Sequence, residues 1–310
     1  MRLSFKHSGR LGDIIYSLPL VKHMAELQGA PVDYYVCNDV PARLGMNVFH
    51  PSLDFMVNTT LFDYIEPLIS SQKYINRILH LPRSEIPVGA IDLDRFKSGG
   101  LNLKAGLIYG WYRKAFGVAF PLDTPWLFVS QPRETCCVEE KSEFPVLIGR
   151  TTRFCNTRIN YNFLDQIQGV GFIGLDYEYV DFINRHALKN VRHIKIQNSL
   201  ELASLISRAK VYIGNQSSNF AIAEGLKAPR ALEAFEPVPV ASPVGGLCFE
   251  YTNTKFLVGF VSELLNSSLQ VSADVAGGDY CESIKTQIGY VVPFKQRLKS
   301  VFKKLPNLKY

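Results

Sequence analysis

The sequence predicts an α/β protein of two sheet-based domains facing one another across a cleft, and three observations predict it. Short β-rich runs alternate with helical patterns throughout the second half, the order of a parallel sheet covered by crossover helices. The chain opens on an apolar-polar run, a glycine loop and a helical segment, which begins a separate β-α-β unit. Between them residues 131–143 are rich in charged residues, a composition shift typical of an interdomain linker. A chain of 310 residues is long enough for each domain to bury its own core. The expected boundaries are 1–135, 144–290 and a basic C-terminal helix or tail over 291–310.

Residues 2–6 read as the first strand and residues 32–36 as the second. Between them Gly9 and Gly12 let the backbone turn tightly, and Asp13 falls at a helix start, where a carboxylate satisfies free N–H groups. From residue 41 to 126 the pattern is irregular. The second half then reads as strand 145–149, helix 161–167, strand 170–174, helix 177–186, strand 191–196, helix 199–206, strand 210–214, helix 219–226 and a last strand 230–235.

Composition narrows the function classes. The chain is 47% hydrophobic and 20% charged, as soluble globular proteins are, and no apolar run approaches the roughly 18 residues of a membrane span. With no secretory signal pattern at its start, a cytoplasmic location is expected. The six cysteines form no Cys-x-x-Cys pair and read as reduced thiols, adjacent Cys136 and Cys137 included. A net charge of +6 favours anionic partners. Part of it sits in the tail, where Lys295, Arg297, Lys299, Lys303, Lys304 and Lys309 alternate with apolar residues. That pattern suits packing on the protein body better than a peripheral contact with the inner membrane. Net charge and tail alone do not make a nucleic-acid binder, because no binding motif accompanies them.

Three loops carry candidate chemistry. Asp13 lies on the first strand-to-helix loop, at the edge where open α/β sheets bind ligands, yet an acid there is also an ordinary cap. The loop lacks the three glycines of a dinucleotide fingerprint and the Gly-Lys-Ser/Thr of a P-loop. Arg150, Thr151, Thr152, Arg153 and Arg158 leave the end of strand 145–149. Three guanidiniums in one short loop repel unless an anion relieves them, so these residues are expected to bind phosphate. Gln216, Ser217 and Ser218 follow strand 210–214 at a helix start, a second anion site or a plain cap. Glu178 follows Gly174 and suits either the hydroxyls of a ribose or the helix dipole. No Asp-x-Asp ends a strand convincingly. Asp92-Leu93-Asp94 reads as loop capping, and no metal site is expected.

Taken in order and spacing, residues 9–19, Thr151-Thr152-Arg153, Gly174 with Glu178, and residues 209–218 with 223–229 resemble glycosyltransferase family 9, the ADP-heptose:lipopolysaccharide heptosyltransferases. The resemblance runs through most of residues 1–236 and is weakest between about 41 and 120. It implies a GT-B fold of two Rossmann-like domains and inverting, metal-independent transfer from a nucleotide-sugar donor to a lipopolysaccharide or surface-glycan acceptor, with no cofactor. It implies Asp13 as general base, Thr151 and Thr152 at the phosphates, Glu178 at the ribose and the Ser217-Ser218 helix start at the diphosphate. The chain departs from the family pattern at Gln216, where an Asp is usual, at Ala221, where a His is usual, and at Asn156, where a Lys is expected and Arg158 supplies charge nearby. A non-catalytic nucleotide- or glycan-binding protein that kept the GT-B shell is the alternative.

Overall fold

The computed structural model describes residues 2–42, 54–98, 100–103, 106–129 and 144–270. The first half comprises β1 (Ser4–His7), α1 (Leu11–Gln28), β2 (Val32–Cys37), α2 (Thr59–Ser70), β3 (Ile75–Leu81), β4 (Ile91–Asp92), α3 (Arg95–Ser98) and α4 (Ile108–Phe116). Its four strands form a parallel sheet in the order β3-β2-β1-β4. The second half comprises β5 (Val146–Gly149), β6 (Val170–Ile173), α5 (Asp176–His186), β7 (Val191–Ile194), α6 (Ser199–Arg208), β8 (Val211–Gly214), α7 (Ser218–Leu226), β9 (Arg230–Glu233), β10 (Cys248–Tyr251) and α8 (Thr254–Leu265). Its six strands are parallel in the order β10-β9-β8-β5-β6-β7.

That second order is the doubly wound one, in which the chain reverses direction between its first and fourth strands. The reversal leaves a crevice where β5 and β8 end. The first sheet reverses in the same way between β1 and β4. β5 and β8 are buried along their whole length, as strands covered on both faces must be, and so read as continuous Val-Ile runs.

The sheets are joined by helices. α1 packs on α7, α2 on α6, and α6 on α7, so one hydrophobic core runs from Phe5, Ile14 and Leu18 of the first half to Tyr212, Phe220 and Ile222 of the second. A separate core under α5 and α8 covers the far face of the second sheet.

Three local expectations are corrected. Residues 161–167 form only a short 3-10 turn, Asn162–Gln166, because Tyr161, Phe163 and Leu164 are all drawn inward and leave no exposed stripe for a helix. The strand expected over 230–235 ends at Glu233, whose carboxylate turns into a buried ion pair. The sheet also continues through β10 and α8, which the sequence reading left unassigned. The basic tail, Cys136, Cys137 and Cys281 lie outside the described residues. Among the described residues no helix is long and apolar enough to cross a membrane.

At the far end of α7, residues 126–127 lie against Gly225, whose carbonyl accepts the N–H groups of Trp126 and Leu127 at 3.0 and 3.1 Å. A methyl on Gly225 would meet Leu127 Cδ1 at 2.6 Å and Trp126 Nε1 at 2.8 Å. Gly225→Ala is therefore expected to cost about 1–3 kcal/mol by overpacking, read from chemical denaturation. Unchanged stability would show that this strap is not packed on α7.

Candidate active site

The loop from His7 to Asp13 is held from three sides. His7, fully buried, accepts the Gly9 N–H at Nδ1 over 2.7 Å, which leaves its proton on Nε2 for Tyr112 Oη at 2.8 Å. Tyr112 passes its own proton to the Asp13 carbonyl at 3.1 Å. Burial pushes the His7 pKa down, more than nearby Asp94 raises it, so the ring stays neutral. Asp94 accepts both the N–H and the hydroxyl of Ser8 at 2.6 Å. Burial works against its charge, but Lys97, by its charge and its hydrogen bond, and the Ser8 hydroxyl hold its pKa below the usual carboxylate range. The expectation that residues 92–94 cap a loop is thus realised, and the loop is the one that carries Asp13.

Asp13 is the third residue of α1. Its Oδ2 accepts the Arg10 N–H at 3.3 Å, and the side chain is half-buried. Glu178 holds the same place in α5: Oε2 accepts the Leu175 N–H at 2.9 Å, and burial raises its pKa. Each acid follows a glycine by four residues. A Cβ would meet the carboxylate at 2.8 Å at Gly9 and 2.9 Å at Gly174, so the absence of a side chain admits the acid. Both carboxylates therefore act as caps; the second oxygen of Asp13 remains for a ligand, while Glu178 is also hydrogen-bonded by Tyr177.

The loop after β5 is organised from beneath. Arg150 is buried and gives Nε and Nη2 to Glu233 at 2.7 and 3.1 Å, so it is not a third free cation, as its place in the sequence suggested. Glu233 also accepts the Tyr161 hydroxyl at 2.7 Å and the Asn156 N–H. The ion pair is structural. Thr151 is likewise engaged: its hydroxyl donates to the Arg153 carbonyl at 3.2 Å and its N–H to Asn215 Oδ1 at 3.1 Å. Thr152 and Arg158 are exposed, and Arg153 is half-buried. Burial and then the Arg10 guanidinium push the Arg153 pKa down, with Glu178 and Tyr177 opposing.

The loop after β8 adjoins it. Asn215, fully buried, donates Nδ2 to the carbonyls of Thr151 at 3.0 Å and Arg153 at 2.6 Å, tying the two crevice loops together. Ser217 caps α7 by accepting the Phe220 N–H at 3.3 Å, and its hydroxyl is also hydrogen-bonded to Tyr212. Gln216 is nine-tenths buried. Its Nε2 donates to the Val238 carbonyl at 2.8 Å, while Oε1 has no partner.

The two halves meet here. A Cβ on Gly12 would lie 3.8 Å from the Ser218 nitrogen, so the N-termini of α1 and α7 abut. The structure thus gathers Gly9, Gly12, Asp13, Thr151, Arg153, Gln216, Ser217 and Ser218 around the two strand reversals, with Glu178 facing Arg153. It leaves Arg158 and Thr152 at the exposed rim. His7, Tyr112, Asn215 and Arg10 escaped the sequence reading; only Arg10 and Asn215 carried a signal, as a cation and an amide inside the candidate loops. Among the described residues no group of three His, Cys, Asp or Glu side chains is placed to hold a metal ion.

Glu233→Ala would strand Arg150 without its partner. A loss of about 3–5 kcal/mol is expected in urea denaturation, against a smaller loss for the paired replacement of both residues by apolar ones. Equal losses for the single and paired variants would show that the ion pair does not organise this loop.

No family model and no curated protein matches the sequence. Among solved structures, E. coli ADP-heptose LPS heptosyltransferase II matches with a TM-score of 0.54 at 14% identity, over 86% of this chain and 98% of that one. E. coli heptosyltransferase WaaC with ADP matches at TM-score 0.47 and 12% identity, over 85% and 97% of the two chains. A glycosyltransferase family 9 protein from Veillonella parvula matches at TM-score 0.45 and 10% identity, over 87% and 90%. The fold of this chain, two parallel sheets meeting through helices with their strand reversals facing, is the GT-B-like fold of heptosyltransferase II.

Proposed function

We propose that this protein is a glycosyltransferase that moves a sugar from a nucleotide-sugar donor to a hydroxyl of a lipopolysaccharide or surface-glycan acceptor, with inversion and without a metal. The observation that carries the reading is the abutment of the Asp13 loop on the N-terminus of α7. It brings a carboxylate from one sheet and an anion-binding helix start from the other to one place. The fold likeness supports it: the protein whose fold is shared is named for ADP-heptose and lipopolysaccharide.

The chemistry follows from the parts. The backbone N–H groups at the start of α7 and the Arg153 guanidinium offer donors to a departing nucleoside diphosphate, the charge that grows in the transition state. Asp13 keeps one oxygen on the Arg10 N–H and presents the other to the acceptor hydroxyl as general base. Attack from the side opposite the leaving diphosphate inverts the anomeric centre. Glu178 receives ribose hydroxyls on the carboxylate lone pairs that the Leu175 N–H and Tyr177 leave over. Gln216 in place of an acid removes a negative charge beside the diphosphate, so the donor sugar is not fixed as ADP-heptose.

Calorimetric titration with ADP, UDP, GDP and CDP is expected to show binding of at least one; none at millimolar concentration would refute the donor site. Asp13→Asn keeps shape and cap. It is expected to fold and bind nucleotide as the wild type does while transfer falls about 10²–10⁴-fold. Full activity in this variant would make Asp13 a cap only. Transfer is expected to survive EDTA, and its loss with recovery on adding Mn²⁺ would overturn metal independence. Nucleotide binding with neither transfer nor donor hydrolysis would identify a binding protein on a GT-B shell.

A further inference from the structure

We propose that Arg10 and Arg153, one from each half of the molecule, close on the same diphosphate group, so that the bound anion bridges the two sheets. The inference rests on the nucleotide-sugar reading and goes beyond it: it gives a residue of the acceptor half a direct hold on the donor.

Arg10 precedes α1 in the loop whose Gly12 lies against the Ser218 backbone. Arg153 sits in the loop that Asn215 ties to the same helix start, its carbonyl taking the Asn215 Nδ2–H at 2.6 Å. The two loops that carry these guanidiniums therefore flank the N-terminus of α7, where the helix dipole is also positive, and the Arg10 charge acts on Arg153. Neither is paired with a carboxylate among the described residues. Glu178, which faces Arg153, is bonded instead to the Leu175 N–H. Among the described residues, the buried guanidiniums are neutralised: Arg150 pairs with Glu233 and Arg230 with Glu224. Like charges left facing across the interface disfavour the empty state, and a diphosphate offers both forks acceptor oxygens of matching geometry.

A second observation at the same loop points to a ligand. Gln216 Oε1, buried and next to Ser217, lacks a hydrogen-bond partner while its amide nitrogen is fixed on the Val238 carbonyl. An acceptor so placed calls for a donor, which a sugar hydroxyl supplies. A diphosphate carrying hydroxyls answers both features at once.

The test uses the full chain, with inorganic pyrophosphate and the four nucleoside diphosphates as probes. Arg10→Gln and Arg153→Gln are each expected to weaken diphosphate binding about 10- to 100-fold by calorimetry, the effect of one charge-assisted contact. The two effects are expected to be non-additive, because both side chains serve one anion. Without ligand, Arg10→Gln is expected to melt above the wild type, since it removes a repulsion; with saturating pyrophosphate the order reverses. A purely structural Arg10 would instead lower the melting point in both conditions, and that result would overturn the inference. If nucleoside diphosphates bind the wild type and Arg10→Gln alike while Arg153→Gln loses them, the nucleotide reading stands and the clamp falls. If no diphosphate binds the wild type, both fall.

Discussion

The contact between Gly12 and the Ser218 backbone is the constraint on which the functional geometry depends. A parallel sheet presents its strand ends at one edge only, and each sheet here reverses its winding once, which makes one crevice per half. Two crevices become one site only if the halves are turned toward each other. Packing of α1 on α7 does that. The helices that cover each sheet also form the interface, so the burial that stabilises each half fixes their mutual orientation. An apolar interface that belongs to one core shared by the two halves resists the relative motion that a small polar one would permit.

Charge is distributed by the same logic. Taking an ion out of water costs several kcal/mol, and a nearby partner with further hydrogen bonds has to offset that. The Arg150–Glu233 pair meets the condition with Tyr161 and Asn156 on the same carboxylate. So does Glu224, which accepts Lys227 Nζ at 2.6 Å, Arg230 Nε at 2.5 Å and the Val244 N–H at 3.1 Å. Even there, burial pushes the Lys227 pKa down to about 8. The first pair shapes the crevice loop and the second anchors the far end of α7. Arg10 and Arg153 stand apart from this pattern.

Asp13 and Glu178 show how one local device serves two roles. Both sit third in a helix behind a glycine and reach back to an N–H. Their surroundings differ. Asp13 is half-buried on a loop braced by His7, Tyr112 and Asp94, so its position is fixed while an oxygen stays accessible. Glu178 is more deeply buried, with Tyr177 hydrogen-bonded to its carboxylate, and burial raises its pKa.

Much of this was legible in the sequence because the signals are local. Alternating β-rich and helical runs located nearly every element of the second half, and the glycine loop with Asp13 located the first crevice. The loops after β5 and β8 were legible as strand ends followed by Ser, Thr and Arg. What the sequence did not decide depends on partners far apart in the chain. Arg150 looked like a third phosphate ligand until Glu233, 83 residues away, was seen to neutralise it. The Thr151 hydroxyl proved to be turned onto its own loop. Within residues 41–126, β4 and α3 are only two and four residues long, too short to show a period, and α2, β3 and α4 went unread; the segment both extends the sheet through β3 and braces the Asp13 loop through Asp94 and Tyr112. The sequence by itself determined which loops carry candidate chemistry, since strand ends and helix caps are set by neighbours in the chain. Only the tertiary structure decided which of their side chains are free to use it, since neutralisation and hydrogen bonding are settled by whatever folding brings alongside.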